Sequence, residues 1–170
     1  MNPQDLVLTR RGLRWRGQIL PCTIGRGGIA LHKREGDGAT PAGTHRVTGL
    51  LYRADRMPRP APWARAIGPR DLWSDDPEDP AYNRQVRAPH GYNHESLRRA
   101  DPLYDLVLLT DWNTEPARPG HGSAIFLHQW RRPGAPTEGC IAFARADIRR
   151  IATAIAPGTR LIVPAAPFWS

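Results

Sequence analysis

Cysteine is scarce: Cys22 and Cys140 are the only two in the chain. Two thiols exclude a disulfide-rich scaffold and a four-cysteine zinc site, and both are expected to be free. Long apolar runs are also missing. The most apolar stretch, residues 161–169, is broken by Pro164 and Pro167 and falls short of the roughly 18 residues that span a bilayer, so no membrane insertion is expected. Residues 1–16 carry charges but no continuous apolar segment ending in small residues, so no secretory leader is visible in them. Lysine is nearly absent, Lys33 being the one lysine among 24 basic residues. Acidic residues are the minority at 16, which leaves a net charge of +8. That excess admits an anionic partner without choosing among nucleic acid, anionic lipid and cell-wall polymer. The arginines run from Arg10 to Arg160 without an aromatic-basic repeat, a helix-turn-helix or an RNA-binding signature, which argues against nucleic acid.

Glycine and proline are plentiful, 16 and 18 of 170 residues, and favour strands and loops over a helical bundle. The length suits a single domain over residues 1–170. Residues 6–9 and 13–24, joined at Arg10-Arg11-Gly12, read as strand, turn, strand. Gly25-Arg26-Gly27-Gly28 is a turn cluster, and residues 35–43 are too rich in glycine and proline for a regular element. A strand over 44–52 follows. Residues 57–90 contain seven prolines together with Trp63, Trp73 and Tyr82, the composition of a packed, lid-like excursion and not of a disordered linker. The apolar runs Leu106-Val107-Leu108-Leu109 and Ala124-Ile125-Phe126-Leu127 mark core strands within 103–112 and 123–129. Ile148, Ile151, Ala152 and Ile155 recur at helical spacing, with Asp147 in the first turn and Pro157-Gly158 as a stop, so one amphipathic helix is expected over 145–156. A last strand covers 160–163. Many strands and one helix predict an α+β fold, mainly β.

The sharpest chemical feature is Phe126-Leu127-His128, a loop containing proline and glycine, then Thr137-Glu138-Gly139-Cys140-Ile141. Nucleophilic cysteine chemistry needs a thiolate, a base to take and return its proton, and backbone N–H donors for the developing oxyanion. His128 at a strand end and Cys140 behind a glycine meet those needs. The same pair also reads as a buried structural thiol and a hydrogen-bonded strand-end histidine, and spacing alone leaves both open. Cys22, with no basic neighbour closer than Arg26, reads as a small buried hydrophobe. His90 and His94 have a zinc-like spacing, but Gly91 and Asn93 oppose the helix it requires and no third ligand is signalled, so no metal is expected. Gly25-Arg26-Gly27-Gly28 lacks the Gly-Lys-Ser/Thr ending of a phosphate loop, so no nucleotide is expected either. The tryptophans, Trp169 among them, are scattered and expected to pack in the core or pin loops; Trp130, beside His128, is placed at the cleft.

From about Leu6 to Pro164 the sequence resembles the L,D-transpeptidase catalytic domain family, the YkuD-like proteins. His128, Thr137, Gly139, Cys140 and Ile141 fit that family's histidine, loop, Ser/Thr-His-Gly-Cys motif. Gly36-Asp37-Gly38-Ala39-Thr40-Pro41-Ala42-Gly43 resembles its Thr-Pro-x-Gly element. The resemblance implies a β-sandwich-like fold without cofactor. In it, Cys140 attacks the carbonyl between the third and fourth residues of a peptidoglycan stem tetrapeptide, and terminal D-Ala leaves. An amine of a second stem then resolves the thioester. His128, oriented by a backbone carbonyl, would serve as acid and base, and the Gly139 and Cys140 amides as oxyanion hole.

Three departures stand out: Glu138 where the family has histidine, Ala142 where many members have Arg or Asn, and a short loop between His128 and Cys140. A carboxylate at Glu138 would raise the thiol pKa unless Arg131, Arg132 or His128 offset it, or it could bind the ammonium of the incoming amine. With the segment from Asp75 to Arg84 and His94-Glu95, these departures resemble a short proteobacterial branch that includes enzymes joining stem position one to position three, not three to three. In that branch Asp75, Tyr82, Asn83, Arg84 and His94, with Thr137, Trp130 and Arg131, would bind the stem peptide. The resemblance implies a soluble, monomeric enzyme of the bacterial periplasm or envelope. The alternatives are a carboxypeptidase or cross-link hydrolase using the same cysteine, and a basic, non-enzymatic module that binds wall polymer or nucleic acid.

Overall fold

The computed structural model describes residues 2–165, so Pro167 and Trp169 lie outside the described residues. The chain begins with four short strands, β1 (Leu6–Thr9), β2 (Gly12–Trp15), β3 (Gln18–Leu20) and β4 (Cys22–Thr23). Next come β5 (Ile29–Ala30), β6 (Thr40–Pro41) and the long β7 (Gly43–Tyr52). The proline-rich region supplies β8 (Arg65–Ala66), β9 (Asp71–Ser74) and β10 (Gln85–Arg87), followed by β11 (His94–Ser96). The last part holds β12 (Leu106–Thr110), β13 (Phe126–Gln129), β14 (Ile141–Phe143), α1 (Arg145–Ala154) and β15 (Arg160–Val163). The mainly β, one-helix α+β class read from the sequence holds.

The expected second strand over 13–24 is three strands. Arg16 (φ 48°) and Gly17 (φ 74°) both take positive φ, the pattern of a two-residue hairpin turn between β2 and β3. Pro21, which has no N–H for a ladder, then separates β3 from β4. This break shapes the whole sheet. Its strands run in the order β3-β2-β1-β15-β7-β12-β13-β14-β4, with β8 beside β7. The two ends of that path, Leu20 and Cys22, are one residue apart in the chain, so the sheet must curl until it nearly closes. The backbone of Leu13 in β2 faces the Cys22 thiol across the gap.

The helix packs against both halves of the curl. Ile148, Ile151 and Ala152 join one apolar cluster with Leu6, Leu8, Leu13 and Trp15 from β1 and β2, and with Leu108, Leu127 and Ile141 from β12 to β14. Asp147 complements the helix N-terminus. The helix ends two residues short of the expected 156: Ile155 is buried but already extended, at φ −97° and ψ 168°.

Strand β12 is buried at every position because both its faces are covered. Leu106 and Leu108 enter the helix-side cluster. Val107 and Leu109 enter a second cluster with Leu51, Ile67, Trp73, Leu97, Tyr104, Phe126 and Cys140. A continuous apolar run is what such a strand requires. The proline-rich excursion supplies the cover, as β10-β9-β11 form their own antiparallel sheet.

Asn83 fastens that cover. Its Oδ1 accepts from Trp73 Nε1 and from the Ala124 amide, each at 3.0 Å. Its Nδ2 donates to the Trp112 and Asn113 carbonyls at 3.0 and 2.8 Å. Its φ of 58° is one that asparagine tolerates better than most residues. Asn83→Ala strands four partners, two of them in buried hydrogen bonds, and is expected to destabilise the fold by about 2–4 kcal/mol, read as a lower urea midpoint.

Candidate active site

Neighbouring parallel strands bring imidazole and thiol together. In the β13/β14 ladder Leu127 pairs with Ile141 and His128 with Ala142, so Cys140, just ahead of β14, falls beside Phe126. The Phe126 amide donates to Cys140 Sγ at 3.4 Å, and the thiol donates to the Ala124 carbonyl at 3.1 Å. Strand alternation puts Phe126 and His128 on the same face, under the excursion. His128 Nδ1 lies 2.7 Å from the Gln129 carbonyl oxygen. A carbonyl only accepts, so Nδ1 carries the proton and Nε2 keeps its lone pair.

The turn into Cys140 is held from three sides. Gly139 has φ 140°, and a Cβ there would lie 2.8 Å from the Ala39 carbonyl oxygen, so only glycine fits without a shift. The buried Thr40 hydroxyl donates to the Gly139 carbonyl at 2.8 Å and accepts from the Gly25 amide at 3.0 Å. The Thr137 amide donates to the Ile24 carbonyl at 3.0 Å, and the Arg26 amide donates to the Thr137 carbonyl at 2.8 Å. The turn cluster at 25–28 and the loop at 35–43 are thus the braces of the cysteine turn.

Lys33 anchors the second brace. It is buried and donates from Nζ to Asp37 Oδ1 at 2.5 Å. Asp37 also accepts from the Arg34 and Ala39 amides at 2.7 and 2.9 Å. Gly122 lies so close that a Cβ there would be 3.0 Å from Lys33 Cε. The slender ammonium of this one lysine fits between Asp37 and Gly122, where a guanidinium is broader.

Burial sets the charge state of the pair. It pushes the Cys140 thiol up to about 12, with the Glu95 carboxylate adding to the effect and the Phe126 amide and Lys33 opposing it. It brings His128 down to about 4, against the Gln129 hydrogen bond. The resting pair is therefore neutral thiol and neutral imidazole.

A cleft of about 690 Å3 opens on Cys140 and His128. Of the residues expected to bind substrate, Asp75, Trp130, Arg131, Thr137 and Glu138 line it. Thr137 uses its side chain on the turn: its hydroxyl donates to the Cys140 carbonyl at 2.5 Å and accepts from the Gly139 amide at 3.2 Å. Glu138 is drawn away from the thiol. It pairs with Arg26 Nε at 2.8 Å and its side chain is 75 % exposed. The carboxylate that acts on the thiol is Glu95, and the cation that holds Glu138 is Arg26, not Arg131, Arg132 or His128.

Four other expected residues do not line the cleft. Asn83 is taken up by the backbone as above. Tyr82 is buried with its hydroxyl on Glu35. Arg84 is exposed beside Glu115 at 3.8 Å. His94 is exposed on β11, its ring 5.8 Å from that of His90. Cys22 is half-buried, its thiol pushed up to about 12 by burial.

The cleft also holds residues that sequence reasoning missed. Glu35 and Glu95 join Asp75 as carboxylates, and Arg99 joins Arg131 and Arg132 as cations. Tyr104 connects the two sets: its hydroxyl donates to Glu95 Oε2 at 2.8 Å, its ring meets His128 edge-on with centroids 5.2 Å apart, and Arg99 lies over it at 5.2 Å. Only the adjacency of His94-Glu95 to the excursion hinted at this wall.

No helix among the described residues is long and apolar enough to cross a membrane. A comparison with curated proteins gave no match. The family model described as YkuD, L,D-transpeptidase catalytic domain, matches residues 3–163. That match takes in the braces, the excursion, His128 and Cys140 alike, and the chain belongs to the YkuD family of L,D-transpeptidase catalytic domains.

Proposed function

We propose that the protein is a cysteine L,D-transpeptidase that cross-links peptidoglycan at the bacterial envelope, with Cys140 as nucleophile and His128 as its base. The observation that carries this reading is the ladder placing a free imidazole Nε2 and a thiol on adjacent strands at the floor of one cleft. Because both groups rest neutral, the thiol proton passes to His128 Nε2 as Sγ attacks the stem carbonyl between positions three and four. The carbonyl oxygen gains charge and is received by the Gly139 and Cys140 amides. The Gly139 amide rests on Thr137 Oγ1 at 3.2 Å, a long neutral hydrogen bond that an oxyanion outcompetes. Collapse expels D-Ala, which leaves with the proton returned by His128, and Cys140 is left as a thioester.

An amine of a second stem then attacks the thioester, and the bond formed joins position three of the donor to position one of the acceptor. The excursion over 57–90 acts as the lid of this cleft, within a single catalytic domain that works as a monomer. Wild type and Cys140→Ala, incubated with purified stem-tetrapeptide muropeptides, test the reading by mass spectrometry of products and intact protein. The expected result is a thioester adduct and a cross-linked dimer in the wild type and neither in the variant. Fragmentation of the dimer locates the bond at position one or position three. Trimmed stems without dimer make the protein a hydrolase, and absence of adduct and product returns Cys140 to a structural thiol.

A further inference from the structure

An acceptor amine reaches the thioester largely as an ammonium ion at neutral pH, and an ammonium has no lone pair with which to attack. One proton must leave before the C–N bond forms. Four carboxylates line the cleft: Glu35, Asp75, Glu95 and Glu138. Glu138 is neutralised by Arg26 and turned to solvent. Glu35 is exposed and already accepts the Tyr82 hydroxyl. Asp75 has one oxygen buried without a hydrogen-bond partner.

Glu95 is differently placed. Among the described residues its carboxylate accepts a single hydrogen bond, from Tyr104. The ring of Tyr104 packs edge-on against both His128 and Phe126, at 5.2 and 6.1 Å between centroids, and the Phe126 amide holds Cys140 Sγ. One tyrosine therefore ties this carboxylate to the base and to the nucleophile. Burial, reinforced by the charges of Asp75 and Glu35, raises the proton affinity of Glu95, with the Tyr104 bond opposing.

We propose that Glu95 binds the ammonium of the acyl acceptor and takes its first proton. This rests on the acyl-transfer reading above. The acceptor ammonium and the Glu95 carboxylate become a neutral amine and a carboxylic acid. The amine lone pair then forms the C–N bond at the thioester carbonyl, and the C–S bond breaks with its electron pair on sulfur. The second amine proton passes through His128 to the departing thiolate and restores the thiol, while Glu95 releases its proton to water. Asp75 and Glu35, on the same wall, add to the field that draws the cation in. The substrate class follows: the acceptor is a primary amine that arrives charged, and a neutral nucleophile gains nothing from Glu95.

The experiment is the partition of the thioester between amine and water in wild type and Glu95→Gln, with a stem-tetrapeptide donor and a free-amine stem-peptide acceptor. Glutamine keeps an oxygen for Tyr104 but binds no ammonium and takes no proton. The transfer-to-hydrolysis ratio is expected to fall at least ~10-fold, at or below the low end of what a general base contributes. An unchanged ratio overturns the proposal. A second measurement needs only the wild type. An acceptor peptide whose amine is trimethylated, a permanent cation with no proton to give, is expected to suppress transfer, and its N-acetyl counterpart is not. Equal effects of the two overturn the proposal. Absence of any thioester in the wild type overturns the acyl-transfer reading instead, so the two failures are told apart.

Discussion

Replacing His128 by alanine is expected to slow thioester formation by about 100- to 10,000-fold, the usual contribution of a general base, while the protein stays folded. The size of the loss follows from the resting charge state. Burial holds Cys140 protonated up to about 12, so the chain has no standing thiolate to fall back on at neutral pH. Without His128 the proton must go to water in a site that largely excludes it. Burial likewise holds His128 near 4, against an ordinary 6.5, so the base stays unprotonated well into the acid range. The wild-type acylation rate should therefore run level through neutral pH and fall only as the pH drops through about 4, when His128 gains a proton. Acylation kinetics followed by intact-protein mass across the acid range check both points. An acid limb at the ordinary imidazole value would show that burial does not hold His128 down in the working enzyme, and a His128→Ala enzyme with wild-type rate would remove His128 from the role of base.

Gly139→Ala has the second largest expected effect. The new methyl meets the Ala39 carbonyl oxygen at 2.8 Å and Ile125 Cδ1 at 3.1 Å, on a backbone with φ 140°. The oxygen belongs to main chain pinned by Asp37 and Thr40, so relief comes from moving the cysteine turn. A displacement there shifts the thiol and the Gly139 and Cys140 amides together. Acylation is expected to fall by about 100- to 1,000-fold, the loss seen when one oxyanion donor goes. The strain should also lower stability by about 1–3 kcal/mol. Rates by mass spectrometry and a urea midpoint separate the two effects. A folded Gly139→Ala with full activity would show that the turn does not set the geometry of attack.

The elements that were legible in the sequence are those whose signal is local. The helix, with Ile148, Ile151 and Ala152 on one face, and β12, whose apolar run Leu106 to Leu109 is buried because both faces are covered, read directly from their sequence patterns. His128 and Cys140 were legible because a strand end and a Gly-Cys turn are short-range patterns. The split of 13–24 into three strands was not, since its first turn uses Arg16 at positive φ, which arginine composition does not announce. Glu138 was given the thiol as its neighbour on adjacency in the chain, whereas the fold offers Arg26, 112 residues away in sequence, as a closer partner. Tyr104, Glu95 and Arg99 sit in irregular or very short segments. Their meaning lies in which strands the excursion covers, and a pattern of residues along the chain carries no trace of that.

The near-closure of the main sheet bears on how the protein behaves in crowded solution. A sheet margin with unpaired N–H and C=O groups is a template for another chain. Here the two margins are β3 and β4, three and two residues long, held face to face by the Leu20-Pro21-Cys22 link, with Pro21 contributing no donor. Neither margin presents a ladder long enough for a stranger to extend. With fifteen strands, most of them short, the chain would otherwise be prone to edge-to-edge growth, and one proline between the two margins of the main sheet removes the seed for it there.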